Sequence, residues 1–222
     1  MLPQGFGLTM AERALTQAEH AADGAIHVAG IAASLVAVAF LLAIQMNNGP
    51  DSMSAALTIY GITVILLFSA SAAYHLVPST NWKPLLQRFD HAAIFLKIAG
   101  TYTPLVVIMG SAWAYAVLAL VWAGAASGAV MRIATGDRFA GFSAGLYLVL
   151  GWASVFLISL MFERLPWGAA LLVVIGGLLY TAGVPFHIWE RLKFQKAIWH
   201  GFVLAASSCH FVAVAWASLT LA

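Results

Sequence analysis

Five side chains in this sequence combine imidazole, carboxylate and hydroxyl chemistry: Ser71 and His75 in SASAAYH, Asp90 and His91 in RFDHAAIFLKIAGTYTP, and His200 in KAIWHGFVLAASSCHF. Imidazole with carboxylate is the donor set of a divalent metal site. Zinc takes His nitrogen and carboxylate oxygen and, in catalytic sites, keeps one position for water. A neighbouring carboxylate can orient or deprotonate that water. Each residue also has a plainer reading. A single His at a helix end serves as an interfacial residue, and Asp90 favours a helix N-terminus by its charge alone. What separates the readings is whether three distant segments bring these groups together, and that depends on the elements that carry them.

Those elements are membrane spans. The chain is 63% hydrophobic and 8% charged, against roughly 25% charged in soluble domains. This composition predicts an integral membrane protein with little mass outside the bilayer. A net charge of +2 without a Lys/Arg run points to no nucleic-acid partner; membrane lipids are the partners expected. Cys209, the single cysteine, excludes an intrachain disulfide and a multi-Cys zinc site. The opening MLPQGFGLTMAERALTQAEH lacks a basic region followed directly by an apolar core, so no cleavable signal peptide is expected.

A span needs about 20 mostly apolar residues. Seven segments qualify, at about 25–46, 53–76, 92–109, 112–132, 142–161, 167–187 and 198–221. Continuous apolar runs choose helices over a barrel, because lipid offers backbone groups no other partners. The predicted fold is therefore all-α, a seven-transmembrane helix bundle. Arg13, Lys83, Arg88, Arg132, Arg138, Arg191, Lys193 and Lys196 fall on one side and Arg164 alone on the other. This bias puts the N-terminus in the cytoplasm and the C-terminus outside, in the cell (inner) membrane. That is the reverse of a G-protein-coupled receptor. A retinal protein is disfavoured because the last span has no interior lysine.

Ahead of the first span, residues 1–24 read as a short interfacial helix and 25–222 as the transmembrane domain. Thr9 and Glu12 form a capping-box pattern. Glu12, Thr16, Glu19, Asp23 and His27 recur on one face, either solvated or leading into the cytoplasmic mouth of the bundle. Gly124-x-x-x-Gly128 and Gly141-x-x-x-Gly145 suit close helix packing.

In this topology His75 ends span 2 on the inside, with Ser71 one turn above on the same face. Asp90 and His91 begin span 3 there, and His200 begins span 7 there. One depth thus gathers imidazole, carboxylate and imidazole. His210 lies ten residues past His200, about 15 Å deeper and about 80° around the helix. It cannot share a metal with His200, and a hydrogen bond to Ser207 or Ser208 is expected instead. Lys97 either snorkels or lines a wet cavity. His187 is expected at the interface.

The segments SAAYH, FDHAAIFLKIAGTYTP and AIWHGFVLAASSCHF, with EHAADGAIHVAG near the start, resemble the hemolysin III branch of the progestin and adipoQ receptor (PAQR) family over nearly the whole chain. The resemblance implies seven spans with a cytoplasmic N-terminus. It also implies kinship with alkaline ceramidases, which bind zinc through Ser-x-x-x-His, an Asp and His-x-x-x-His for amide hydrolysis. By position it assigns Ser71 and His75 to the Ser–His motif, Asp90 to the aspartate and His200 to the second last-span histidine. The first histidine of that pair is replaced by Lys196, a poor zinc ligand. The third ligand is then Asp90, or a displaced His187, or is missing.

Three functions follow as expectations. The favoured one is a membrane-homeostasis protein with a cytoplasmic-side zinc site at His75, Asp90 and His200. In its enzymatic form it hydrolyses lipid amides, with Ser71 and Asp90 catalytic and Ser71 polarising the carbonyl or stabilising the developing oxyanion. The alternatives are a non-enzymatic sensor of membrane state in which metal is structural, and a pore-forming hemolysin. The pore has least support, for no amphipathic span repeats and no ring of charge appears beyond Lys97.

Overall fold

The structure is a computed structural model that describes residues 16–78 and 81–221, without the side chains of residues 46–48, 137 and 140. Among the described residues eight α-helices follow in order: α1 (Gln17–Asn48), α2 (Asp51–Leu76), α3 (Lys83–Met109), α4 (Ala112–Thr135), α5 (Ala140–Gly151), α6 (Ile158–Arg164), α7 (Trp167–Ile188) and α8 (Gln195–Leu221). There is no strand among the described residues. α5 and α6 are two parts of one crossing, so seven segments are long and apolar enough to span a membrane. The predicted seven-helix bundle is what forms.

The expected separate helix over 1–24 falls mostly outside the described residues, as does its Thr9–Glu12 cap. From Gln17 onward the chain is already in α1, a single helix of 32 residues. Its start is fixed by a capping box one step further along. The Thr16 hydroxyl accepts from Glu19 N at 3.3 Å, and Glu19 Oε2 accepts from Thr16 N at 2.9 Å. The helix therefore carries Glu19, Asp23 and His27 into the bundle, all buried.

Packing puts α3 at the centre: 72% of its apolar window is buried, the largest share of any span. It contacts α2, α4 and α8, while α1 packs on both α2 and α8 and closes the bundle there. Small residues permit these approaches. A Cβ on Gly100 would lie 2.0 Å from Thr63 Oγ1 of α2, and one on Gly128 2.5 Å from the Phe95 ring. Gly124 meets Leu150 similarly, whereas Gly141 and Gly145 face open space, so only the first of the two glycine pairs packs.

The fifth crossing is broken by a 3-10 stretch over Trp152–Leu157. Freed backbone groups in lipid need partners, and Tyr102 of α3 supplies them. Its buried hydroxyl lies 3.0 and 2.8 Å from the Leu150 and Gly151 carbonyls, to which it donates, and accepts from Ser154 N at 2.7 Å. The tyrosine of AGTYTP thus staples α3 to the break. Tyr102→Phe is expected to cost about 1–3 kcal/mol by orphaning these groups, read as a lower melting temperature in detergent.

Candidate metal centre

Four helices converge at the end of the bundle where α1 begins. α1 presents Asp23 and His27 one turn apart, α2 presents Ser71 and His75 one turn apart, α3 presents Asp90, and α8 presents His200. The i, i+4 spacing places each pair on one helix face, and both faces turn inward. The imidazoles of His27, His75 and His200 cluster so that one nitrogen from each lies within 4.8 Å of the others. Ring centroids are 4.4 Å apart for His27–His200, 4.5 Å for His75–His200 and 5.2 Å for His27–His75.

Two carboxylates flank the trio. Asp23 Oδ1 is 2.6 Å from His200 Nδ1, and its Oδ2 is 3.7 Å from both His27 Nε2 and His75 Nδ1. A carboxylate oxygen accepts, so His200 Nδ1 carries the proton and leaves Nε2 as its lone-pair nitrogen. Asp90 Oδ2 lies 3.8 Å from His75 Nε2 on the opposite side, and Ser71 lines the same cavity as Asp90. Asp23, His27, Asp90, Ser71 and His200 are all buried.

This donor set fits a metal ion on two grounds. Three converging imidazoles make no hydrogen bond to one another, and His27 Nε2 is buried with no hydrogen-bond partner. Such a group is costly unless something else occupies it. The carboxylate on the far nitrogen of His200 is the outer-shell partner that metal-ligating histidines carry.

The third imidazole thus comes from α1. The spacing of Glu19, Asp23 and His27 placed them on one face, and the structure selects the buried alternative over the solvated one. Glu19 extends the arrangement. Its Oε1 accepts from Phe194 N at 2.9 Å, which ties α1 to the turn before α8. Phe194 sits at φ +59°, a conformation uncommon for a bulky residue, so Glu19 braces a strained turn six residues before His200.

The other expected residues sort as follows. Asp90 lies beside His75 and outside the histidine trio. His91 turns away, its Nδ1 against the Arg132 guanidinium and its carbonyl accepting from Tyr147 OH at 2.9 Å. His187 packs on the Trp199 ring at 4.8 Å, is exposed, and lies outside the histidine trio. Lys196 lines the adjoining cavity without joining the trio. The expected bond of His210 to Ser207 or Ser208 is not formed: Ser207 pairs with Tyr180 OH at 2.6 Å and Ser208 with the Leu204 carbonyl at 2.9 Å. His210 instead meets Lys97 and the Val173 carbonyl.

The trio and Asp90 open into one cavity of about 580 Å³ that runs up the bundle past Lys97 and His210 to Met109 and Met161. Lys97 is buried and lines this cavity, so it does not snorkel.

Comparison with known proteins matches these features to a family. The haemolysin-III related family matches residues 17–211. The chain is 34% identical over 194 residues to the hemolysin-3 homolog of Bacillus subtilis (strain 168), covering 87% of this chain and 91% of the relative. It is also 34% identical over 194 residues to hemolysin-3 of Bacillus cereus, covering 87% and 89%. Monocyte to macrophage differentiation factor of Homo sapiens is 26% identical over 167 residues, 70% of this chain and 67% of the relative. With its seven apolar spans, and a match that begins at the helix carrying His27 and runs past His200, this chain belongs to the haemolysin-III related family, the hemolysin III branch of the PAQR proteins.

Proposed function

We propose that the chain is a zinc protein of membrane homeostasis, centred at the cytoplasmic side of the cell membrane, that hydrolyses lipid amides. The observation that carries this reading is that the His27–His75–His200 trio and the Asp90–Ser71 pair share one cavity of about 580 Å³, within the range of ligand pockets. A metal serving only as a brace needs neither the cavity nor the second carboxylate. The cytoplasmic placement rests on charge: Lys83, Arg88, Arg132, Arg138, Arg191, Lys193 and Lys196 crowd the trio's end, with Arg164 at the other.

Zinc held by the three imidazoles would supply Lewis-acid polarisation of a carbonyl and a water acidic enough to react near neutral pH. The chain's own residues do the rest. Asp23 fixes the His200 ring by accepting its Nδ1 proton. Asp90 is placed to take a proton from the water adding to the amide carbon and to pass it to the departing nitrogen. The C–N bond breaks, giving a carboxylic acid and an amine. Ser71 lines the same cavity and would polarise the carbonyl or stabilise the developing oxyanion. The apolar cavity takes the acyl chain.

The competing reading, a sensor in which metal is structural, has its own support: the three imidazoles come from α1, α2 and α8 and would clamp the bundle's closing seam. Asp90→Asn separates the two. The hydrolase reading expects this variant to keep its zinc and to lose about 10²-fold or more in turnover of a fluorescent ceramide-type amide, the range of general acid–base catalysis. Wild-type protein that holds zinc but turns over no lipid amide would leave the structural reading.

A further inference from the structure

Lys97 has no part in the metal centre. It lies seven residues beyond Asp90 on α3, about 10 Å further along the helix, and only 3% of it is exposed. A lysine at this depth is costly to insert and marks a ligand or ion path by default. Among the described residues no carboxylate pairs with it.

Its surroundings are nevertheless built. Lys97 Nζ is 3.3 Å from His210 Nδ1 and 4.4 Å from the centroid of the Tyr180 ring. His210 Nε2 is 3.2 Å from the Val173 carbonyl. A carbonyl only accepts, so Nε2 carries the proton and Nδ1 offers its lone pair to Lys97. Tyr180 OH is held by Ser207 Oγ at 2.6 Å, which fixes the ring that faces the amine. Gly176 makes the room: a Cβ there would stand 2.4 Å from the His210 ring. An ammonium has three donors. One goes to His210 and one faces the Tyr180 ring, which leaves one for the cavity that Lys97 lines.

We propose that Lys97, with His210 and Tyr180, forms a carboxylate-binding subsite in the middle of the membrane, and that its ligand is a long-chain monocarboxylate. A single cation with one donor to spare suits a monoanion with a small head. The cavity beyond it is lined by Leu105, Met109, Leu157 and Met161, which suits one alkyl chain. The subsite does not depend on the metal centre.

The test uses intact protein in zwitterionic nanodiscs, with empty nanodiscs as the baseline for partition into lipid. Oleic acid labelled with ¹³C at the carboxyl carbon and oleyl alcohol are titrated separately. Wild type is expected to bind the acid saturably and to prefer it over the alcohol by about tenfold or more, as for a hydrogen bond to a charged group. Lys97→Met is expected to bind the alcohol as before and to lose that preference. In wild type carrying ¹⁵N-lysine, a dipolar coupling between the carboxyl carbon and a lysine Nζ is expected, and it reports without any variant. An unchanged preference in Lys97→Met, no acid binding above empty discs, or no such coupling in wild type would each overturn the proposal. A long-chain acid is also the product class of the proposed hydrolysis, so the loss of preference in Lys97→Met and the coupling to a lysine Nζ, neither of which involves zinc, are the readouts that fail or succeed apart from the proposed function.

Discussion

Purified His27→Ala is expected to come out without zinc, and wild type is expected to carry one ion per chain. Among the described residues three imidazoles meet at the centre, and His27 is the one that α1 contributes. Removing an outer-shell partner already costs about 10–100-fold in metal affinity, so loss of a ligand costs more. The fold should persist, because His27 Nε2 makes no hydrogen bond that the variant would lose. Lys196→Ala, at the position where the family pattern puts a histidine, should keep its zinc. Elemental analysis of the three proteins side by side reads the result. Zinc retained in His27→Ala, or lost in Lys196→Ala, would mean that the ligand set lies elsewhere.

The second large effect is expected at Asp23. This one carboxylate touches the whole trio, at 2.6 Å from His200 and 3.7 Å from both His27 and His75. Asp23→Asn keeps the shape but offers one carbonyl oxygen and an amide donor where two acceptor oxygens stood. Zinc affinity measured by competition with a chelator is expected to fall about 10–100-fold. Burial sharpens the effect, since in a low-dielectric site a mismatched donor is not rescued by water. Asp23→Asn with wild-type affinity would show that the carboxylate is a bystander.

The seven spans were legible because lipid leaves a backbone few options and apolar runs reveal the rest. His75, Asp90 and His200 were legible as one layer because each begins or ends a span on the same side. His27 was harder to see. Glu19 and Asp23 lower the hydropathy of its helix, so the apolar run begins at residue 25 and the acidic turns precede it. They are instead buried within the bundle, where Thr16 and Phe194 satisfy Glu19 and the histidines satisfy Asp23. The signal was present in the four-residue spacing of Glu19, Asp23 and His27. The Lys97–His210 contact joins residues 113 positions apart, and no local pattern could anticipate it. Helix rotation excluded His210 from the metal layer, but the choice of Lys97 over Ser207 or Ser208 depended on which face of α8 meets α3.

A zinc centre at this end of the bundle would draw its three imidazoles from α1, α2 and α8. X-ray absorption at the zinc K-edge of wild-type protein tests it most directly, because multiple scattering from imidazole rings counts histidine ligands. Three imidazoles are expected, with any remaining ligand an oxygen. Two imidazoles, or protein reconstituted with zinc that shows no imidazole scattering, would contradict it.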